Sequence, residues 1–205
     1  MHHEALTDEG KTIWPLLKRF DGFYLAGGTA LALQIGHRVS VDFDLFSPED
    51  INKHLLSKVE KVFQQRTVYP SVNNPDELTV LVGNVKITFL KYPFLAIEDL
   101  VVLDGIPTLS VKEIAATKAY AIGRRGTFKD YIDLYFIISE NYASLKETVD
   151  LADKKFAHEF NSRLFLEQLI FMDDISEIEI KFLKDAVSPK TILDFFTEQI
   201  KVFPL

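Results

Sequence analysis

The 205-residue chain carries a net charge of −7, and its 47% hydrophobic and 26% charged residues make an ordinary globular composition. The acidic balance argues against a protein that coats nucleic acid through a broadly basic surface. With no cysteine, disulfides, thiolate metal sites and cysteine catalysis are excluded, and the usage fits a reducing cytoplasm.

The length suits one domain, or a catalytic core with an attached helical region, and 17 Phe supply much of the core bulk. The N-terminus, MHHEALTDEGKTIWPLLKRF, lacks a basic segment followed by an apolar core. No stretch is long enough to span a bilayer, so the sequence reads as cytoplasmic, with no membrane partner. His2 and His3 beside Glu4 are read as part of a mobile terminus and are given no metal role.

Residues 7 to 20 predict a helix capped by Thr7, with Trp14, Leu16, Leu17 and Phe20 as its apolar face. FYLA (23–26) predicts a short strand, Gly27-Gly28 a turn, and TALALQI a short helix ending at Gly36. VSVDFDLF then alternates with period two. Val39, Val41, Phe43 and Leu45 share one face, and Ser40, Asp42, Asp44 and Phe46 the other. SPED predicts a helix from Ser47 to about residue 64, with Leu55, Leu56, Val59 and Phe63 buried. LTVLV and VKITFL, joined by Gly83-Asn84, predict a hairpin, and one or two short strands follow before residue 110. From Val111 the chain is mostly helical, with helices expected over VKEIAATKAYAIGRR, TFKDYIDLYFIISE, HEFNSRLFLEQLIFM and about 188–201. The fold class is therefore α+β, a small mixed sheet followed by a mostly helical region, divided as 1–110 and 111–205.

Two carboxylates on one strand face need either solvent or a cation. Oxygen ligands without nearby His or Cys favour Mg²⁺ or Mn²⁺ over zinc. A wet edge strand would show the same D-x-D. Gly27 and Gly28 let backbone amides approach a ligand, and Thr29 opens a helix whose free N–H groups can bind phosphate, although a glycine pair also makes a plain tight turn. Together the two features form a phosphate cradle and a metal pair about a dozen residues apart, the combination nucleotide chemistry needs. Lys112, Lys118, Arg124, Arg125 and Lys129 form a basic run that charge alone reads as a solvated helix face. No Walker A signature, dinucleotide fingerprint or serine elbow is present.

GGTALALQIGHRVSVDFDLF resembles the AbiEii/AbiGii toxin-type nucleotidyltransferase family, part of the polymerase-β-like superfamily, and the resemblance continues through VKEIAATKAYAIGRRGTFKDYIDLYFI. It implies a polymerase-β-like fold and transfer of a nucleoside monophosphate from a nucleoside triphosphate to an acceptor hydroxyl. The acceptor it suggests is tRNA or another RNA, and the partner a cognate antitoxin. By motif, Asp42 and Asp44 would hold Mg²⁺ or Mn²⁺, and Gly27, Gly28 and Thr29 would contact triphosphate. Lys118 would neutralise phosphate charge, and Asp130, followed one turn later by Asp133, would be the last motif's acid. Asp130 is left with three roles: orienting the acceptor, acting as base, or pairing with Lys118 or Arg124. Arg38 is a phosphate or acceptor candidate beside His37, and Arg124 and Arg125 are candidates for triphosphate or RNA backbone.

Many polymerase-β-like enzymes carry a third carboxylate on a later strand. Here the exposed face of VKITFL offers Lys86 and Thr88 and no acid. A two-carboxylate site, an acid supplied elsewhere such as Glu98 or Asp99, and weakened chemistry all remain open. Two rival functions follow: a catalytically silent nucleotide- or partner-binding protein, and a nucleotidyltransferase with a small-molecule acceptor.

Overall fold

The computed structural model describes residues 1–203 except 173, 174 and 177; of residue 125 it describes the backbone only. The chain divides into two compact units, Met1–Leu95 with Asp99–Leu109, and Ala96–Glu98 with Ser110–Leu205.

The first unit is built on a seven-stranded mixed sheet. Its strands are β1 (Tyr24–Ala26), β2 (Phe43–Ser47), β3 (Val68–Asn73), β4 (Glu77–Val82), β5 (Val85–Lys91), β6 (Val101–Leu103) and β7 (Ile106–Thr108), in the order β3-β4-β5-β2-β1-β7-β6. β2 lies antiparallel to β1 and parallel to β5. Three helices belong to this unit: α1 (Asp8–Leu17), α2 (Gly27–Ile35) and α3 (Leu55–Val62). As predicted, Thr7 caps α1 by accepting from the Gly10 N–H, and Gly36, at φ +64°, ends α2. Phe43, Leu45, Ile87 and Phe89, all at most 1% exposed, form the inward face of β2 and β5. Trp14 stacks on Phe43 at 6.2 Å, and Phe20 meets Phe89 edge-on at 4.9 Å.

Several sequence expectations change. The double glycine is the first turn of α2, not a separate turn, with Ala26 as its cap. The strand predicted from Val39 starts only at Phe43. The Ser40 N–H instead donates to the Ala5 carbonyl, which pulls this segment off the sheet and leaves Val41 exposed. The same bond helps tie down the N-terminus expected to be mobile: the His2 N–H donates to the Leu33 carbonyl, and Ala5 is fully buried. Ser47 does not open a helix, because it is the last residue of β2, paired with Lys91, and its carbonyl accepts from the Tyr92 N–H. α3 therefore begins eight residues later than expected, at Leu55. β3, interrupted by Pro70 and a register shift, carries no clear alternation and was not predicted.

The second unit holds α4 (Val111–Arg125), α5 (Phe128–Ser139), α6 (Leu145–Phe156), α7 (Ser162–Leu169) and α8 (Pro189–Lys201). Ser110 and Ser188 cap α4 and α8. α6 was not singled out in the sequence, and the helix expected from His158 splits into a 3₁₀ turn, Ala157–Glu159, and α7, which Asn161 caps. Buried Glu113 organises one end of the unit. It accepts from the N–H groups of Ile97 and Glu98 at 2.6 and 2.8 Å and from the Lys155 ammonium, so a fully buried charge is both paired and hydrogen-bonded. Among the described residues no helix is long and apolar enough to cross a membrane.

Candidate active site

Phe43 explains the placement of the carboxylates. It separates Asp42 from Asp44, and because it is drawn inward onto Trp14, Asp44 is turned to the opposite face of the sheet. Asp42 lies one residue before β2, and its Oδ2 is 3.7 Å from Nζ of Lys86 on β5. Lys86 and Thr88 share a face of β5, and Thr88 is the direct neighbour of Asp44 across the parallel pair. Both carboxylates thus reach the face that carries Lys86 and Thr88.

The glycine turn lies against this pair. Ala26 is paired with Asp44, and Gly27 adopts φ +69°. A Cβ added to Gly27 would stand 2.5 Å from Asp44 Oδ2, closer than carbon and oxygen can approach. Residue 27 must be glycine both for its backbone conformation and for the carboxylate beside it.

Thr29 has a different job from the one its hydroxyl suggested. It is 2% exposed, donates to the Asp42 carbonyl and lies 2.7 Å from the Ser40 hydroxyl. Its side chain fixes the segment carrying Asp42, and only its main-chain N–H, in the first turn of α2, is suited to phosphate. Arg38 is 3% exposed and donates to the Val39 carbonyl, while His37 is fully buried; both are interior residues of the first unit.

In the second unit, Lys118 Nζ sits 2.7 Å from Asp130 Oδ1 and 2.7 Å from Asp133 Oδ2. Asp133 is fully buried. The other oxygen of Asp130 accepts from the Thr127 N–H at 2.9 Å and the Thr127 hydroxyl at 2.8 Å, so this carboxylate both starts α5 and holds the lysine. Of the two cations weighed for Asp130, the structure selects Lys118. Arg124 instead pairs with Glu159 at 2.9 Å and covers the Tyr120 ring. Lys112 pairs with Glu147 at 3.3 Å. Lys112, Lys118 and Arg124 of the basic run are therefore paired with carboxylates of their own unit.

Sequence reasoning missed Glu77 and Thr79 on β4. Thr79 Oγ1 donates to Glu77 Oε1 at 2.6 Å and lies 3.3 Å from Thr88 Oγ1. The alternation of ELTVLV does put Glu77 and Thr79 on one face, but only the strand register brings them beside Thr88. Among the described residues no three His, Asp or Glu side chains cluster as a ready metal cage. The oxygen chemistry of Asp42, Asp44 and Thr88 nevertheless fits a hard divalent cation, which commonly takes one or two carboxylates and completes its shell with substrate phosphates.

Comparison with known proteins identifies the family and the fold. The family model "Nucleotidyl transferase AbiEii toxin, Type IV TA system" matches residues 14–201. An uncharacterized protein of Aquifex aeolicus is 32% identical over 192 residues, covering 88% of this chain and 87% of the relative. Among solved structures, the nucleotidyltransferase toxin MenT4 of Mycobacterium tuberculosis superposes with a TM-score of 0.62 at 16% identity, over 94% of this chain and 81% of MenT4. JHP933 of Helicobacter pylori gives 0.53 at 15% identity, over 96% and 97%. These likenesses support the polymerase-β-like fold, and the match along almost the whole sequence shows that the chain belongs to the AbiEii nucleotidyltransferase toxin family of type IV toxin–antitoxin systems.

Proposed function

We propose that this nucleotidyltransferase uses Asp42 and Asp44 to hold a divalent cation and transfers a nucleoside monophosphate to an RNA hydroxyl, with tRNA as the acceptor. The acceptor oxygen loses its proton and bonds to the α-phosphorus, the bond from that phosphorus to the bridging oxygen breaks, and pyrophosphate leaves. Mg²⁺ or Mn²⁺, when bound, supplies charge compensation for the triphosphate and lowers the pKa of the attacking hydroxyl. The main-chain N–H groups at the start of α2 bind phosphate oxygens. Lys118 neutralises developing negative charge, and Asp130 and Asp133 hold its ammonium in place. A cognate antitoxin and a cytoplasmic setting follow from the same family reading.

The observation that carries this proposal is the approach of Gly27 to Asp44, the start of a helix lying beside a carboxylate of the neighbouring strand. The test incubates purified protein with Mg²⁺ or Mn²⁺, each α-labelled nucleoside triphosphate and total tRNA, beside Asp42→Ala and Lys118→Ala. Label entering RNA with wild type alone supports the reading and gives the base preference. Label entering a small hydroxylated compound but no RNA would replace the acceptor, and nucleotide binding without any transfer would overturn the reading.

A further inference from the structure

Three side chains form a line leading away from Asp42 across the sheet, and the strand register sets it. Asp42 precedes Phe43, which pairs with Ile87, so it lies beside Lys86 on β5; Lys86 is paired with Leu81 on β4, and Leu81 with Tyr69 on β3. Directly paired residues stand on one side of a sheet, so Lys86, Leu81 and Tyr69 all occupy the carboxylate face. With strands about 4.8 Å apart, Tyr69 lies about 14 Å from Asp42 along this row. Tyr69 is 64% exposed and Leu81 38%, which leaves an aromatic ring and an apolar neighbour open to solvent side by side. Lys86 and Asp42, with side chains 47% and 37% exposed and 3.7 Å between their charged atoms, make only a weak surface pair. β3 is an edge strand, but Pro70 supplies no N–H and the register shifts between Pro70 and Val72, so this edge is a poor template for another strand. What it offers is its face.

We infer that this row is the track for the single-stranded end of the acceptor RNA. Lys86 exchanges its weak pairing with Asp42 for a backbone phosphate close to the reacting hydroxyl, and Tyr69, with Leu81 as the apolar surface beside it, stacks on a base farther along the strand. An aromatic face with a cation beside it is how single strands are held without reading their sequence, since every base has a π-face. The bases of a duplex are already stacked on one another and cannot use such a ring, so the track selects an unpaired end. In a chain of net charge −7 this places a cation and an aromatic platform together on the face that carries the carboxylates. The inference deepens the RNA-acceptor reading and rests on it.

The test uses the full-length protein and two readouts. In the first, transfer is measured at varied tRNA and, separately, at varied nucleoside triphosphate. Tyr69→Ala is expected to raise KM for tRNA by about 10-fold, the scale of one lost base–aromatic stack, with KM for the triphosphate and the melting temperature near wild type; Tyr69→Phe should keep both KM values. The second readout is direct binding of a single-stranded oligoribonucleotide. The one tryptophan, Trp14, is 2% exposed, so Tyr69→Trp adds an exposed indole whose emission the oligonucleotide should quench and a duplex of the same sequence should not. Lys86→Gln should weaken oligonucleotide binding and lower the slope of log K against log salt by about 0.7, one phosphate contact. Wild-type KM for tRNA in both Tyr69→Ala and Lys86→Gln, with Asp42→Asn inactive, would overturn the track and leave the carboxylate and acceptor readings standing. Equal rises in both KM values in Tyr69→Ala would make its role structural and overturn the track as well. So would a wild-type dimer that Tyr69→Ala separates without changing KM for tRNA, since the face would then join two copies. Label entering a small hydroxylated compound and no RNA would overturn the RNA-acceptor reading itself, and this inference with it.

Discussion

Replacing Gly27 with alanine tests the link between the glycine turn and the carboxylates, because two separable costs arise from one methyl group. An alanine at φ +69° bears the left-handed penalty of about 1–2 kcal/mol. Its Cβ would also meet Asp44 Oδ2 at 2.5 Å, roughly an ångström inside ordinary contact, so the carboxylate has to move by about that much. Gly105 provides the matching control: its φ is +84°, and a Cβ there meets nothing within 4 Å. Both alanine variants should lose about 1–2 kcal/mol, a fall of roughly 2–8 °C in melting temperature for a chain of this size. Only Gly27→Ala should also lose activity, by about 100-fold, the effect expected from an ångström of misplacement in a reacting constellation. The assay is nucleotide transfer measured well below both melting temperatures. Equal activity in the two variants would refute the argument that Gly27 is held open for Asp44.

Three further outcomes follow from the same geometry. Lys118→Met leaves buried Asp133 without its cation and should destabilise the protein by about 3–5 kcal/mol; Lys118→Met with Asp133→Asn should recover most of that in urea unfolding without recovering transfer. Thr29→Val removes the donor to the Asp42 carbonyl and should cost about 1–3 kcal/mol together with part of the activity, whereas Thr29→Ser should keep both. Glu147, held down to about 2 by the Ser144 N–H and hydroxyl and by Lys112, stabilises the start of α6. Because the folded value lies below the ordinary 4.5, this contribution is present above that pH and is lost as pH falls toward about 2. The urea midpoint difference between wild type and Glu147→Gln should shrink across that window; a difference unchanged down to pH 2 would contradict the cap. The effect is small, since the side chain is about half exposed.

What the sequence made legible was local. Period-two alternation and Gly83-Asn84 predicted the β4–β5 hairpin, the helical stretches from Val111 and from about residue 188 predicted α4 and α8, and the carboxylate spacing predicted that Asp42 and Asp44 reach one face. The misses share a cause, in that each depends on a partner distant in the chain. Ser47 has the signature of a helix cap, but its pairing with Lys91 decides otherwise. Thr29 reads as a phosphate ligand until Ser40 and Asp42 take its hydroxyl. The charges of Lys112, Lys118 and Arg124 look uncompensated until α5, α6 and Glu159 bring carboxylates to them. Glu77 has no motif at all, and its relation to Asp44 exists only through the register of three strands.

The measurement that bears most directly on the central claim is pyrophosphate release per nucleotide transferred, followed in wild type, Asp42→Asn and Asp44→Asn. Wild type is expected to release one pyrophosphate for each label that enters the acceptor, and both variants should lose release and transfer together while keeping the wild-type melting temperature. Turnover retained in both folded variants would contradict the assignment of the reaction to this carboxylate pair.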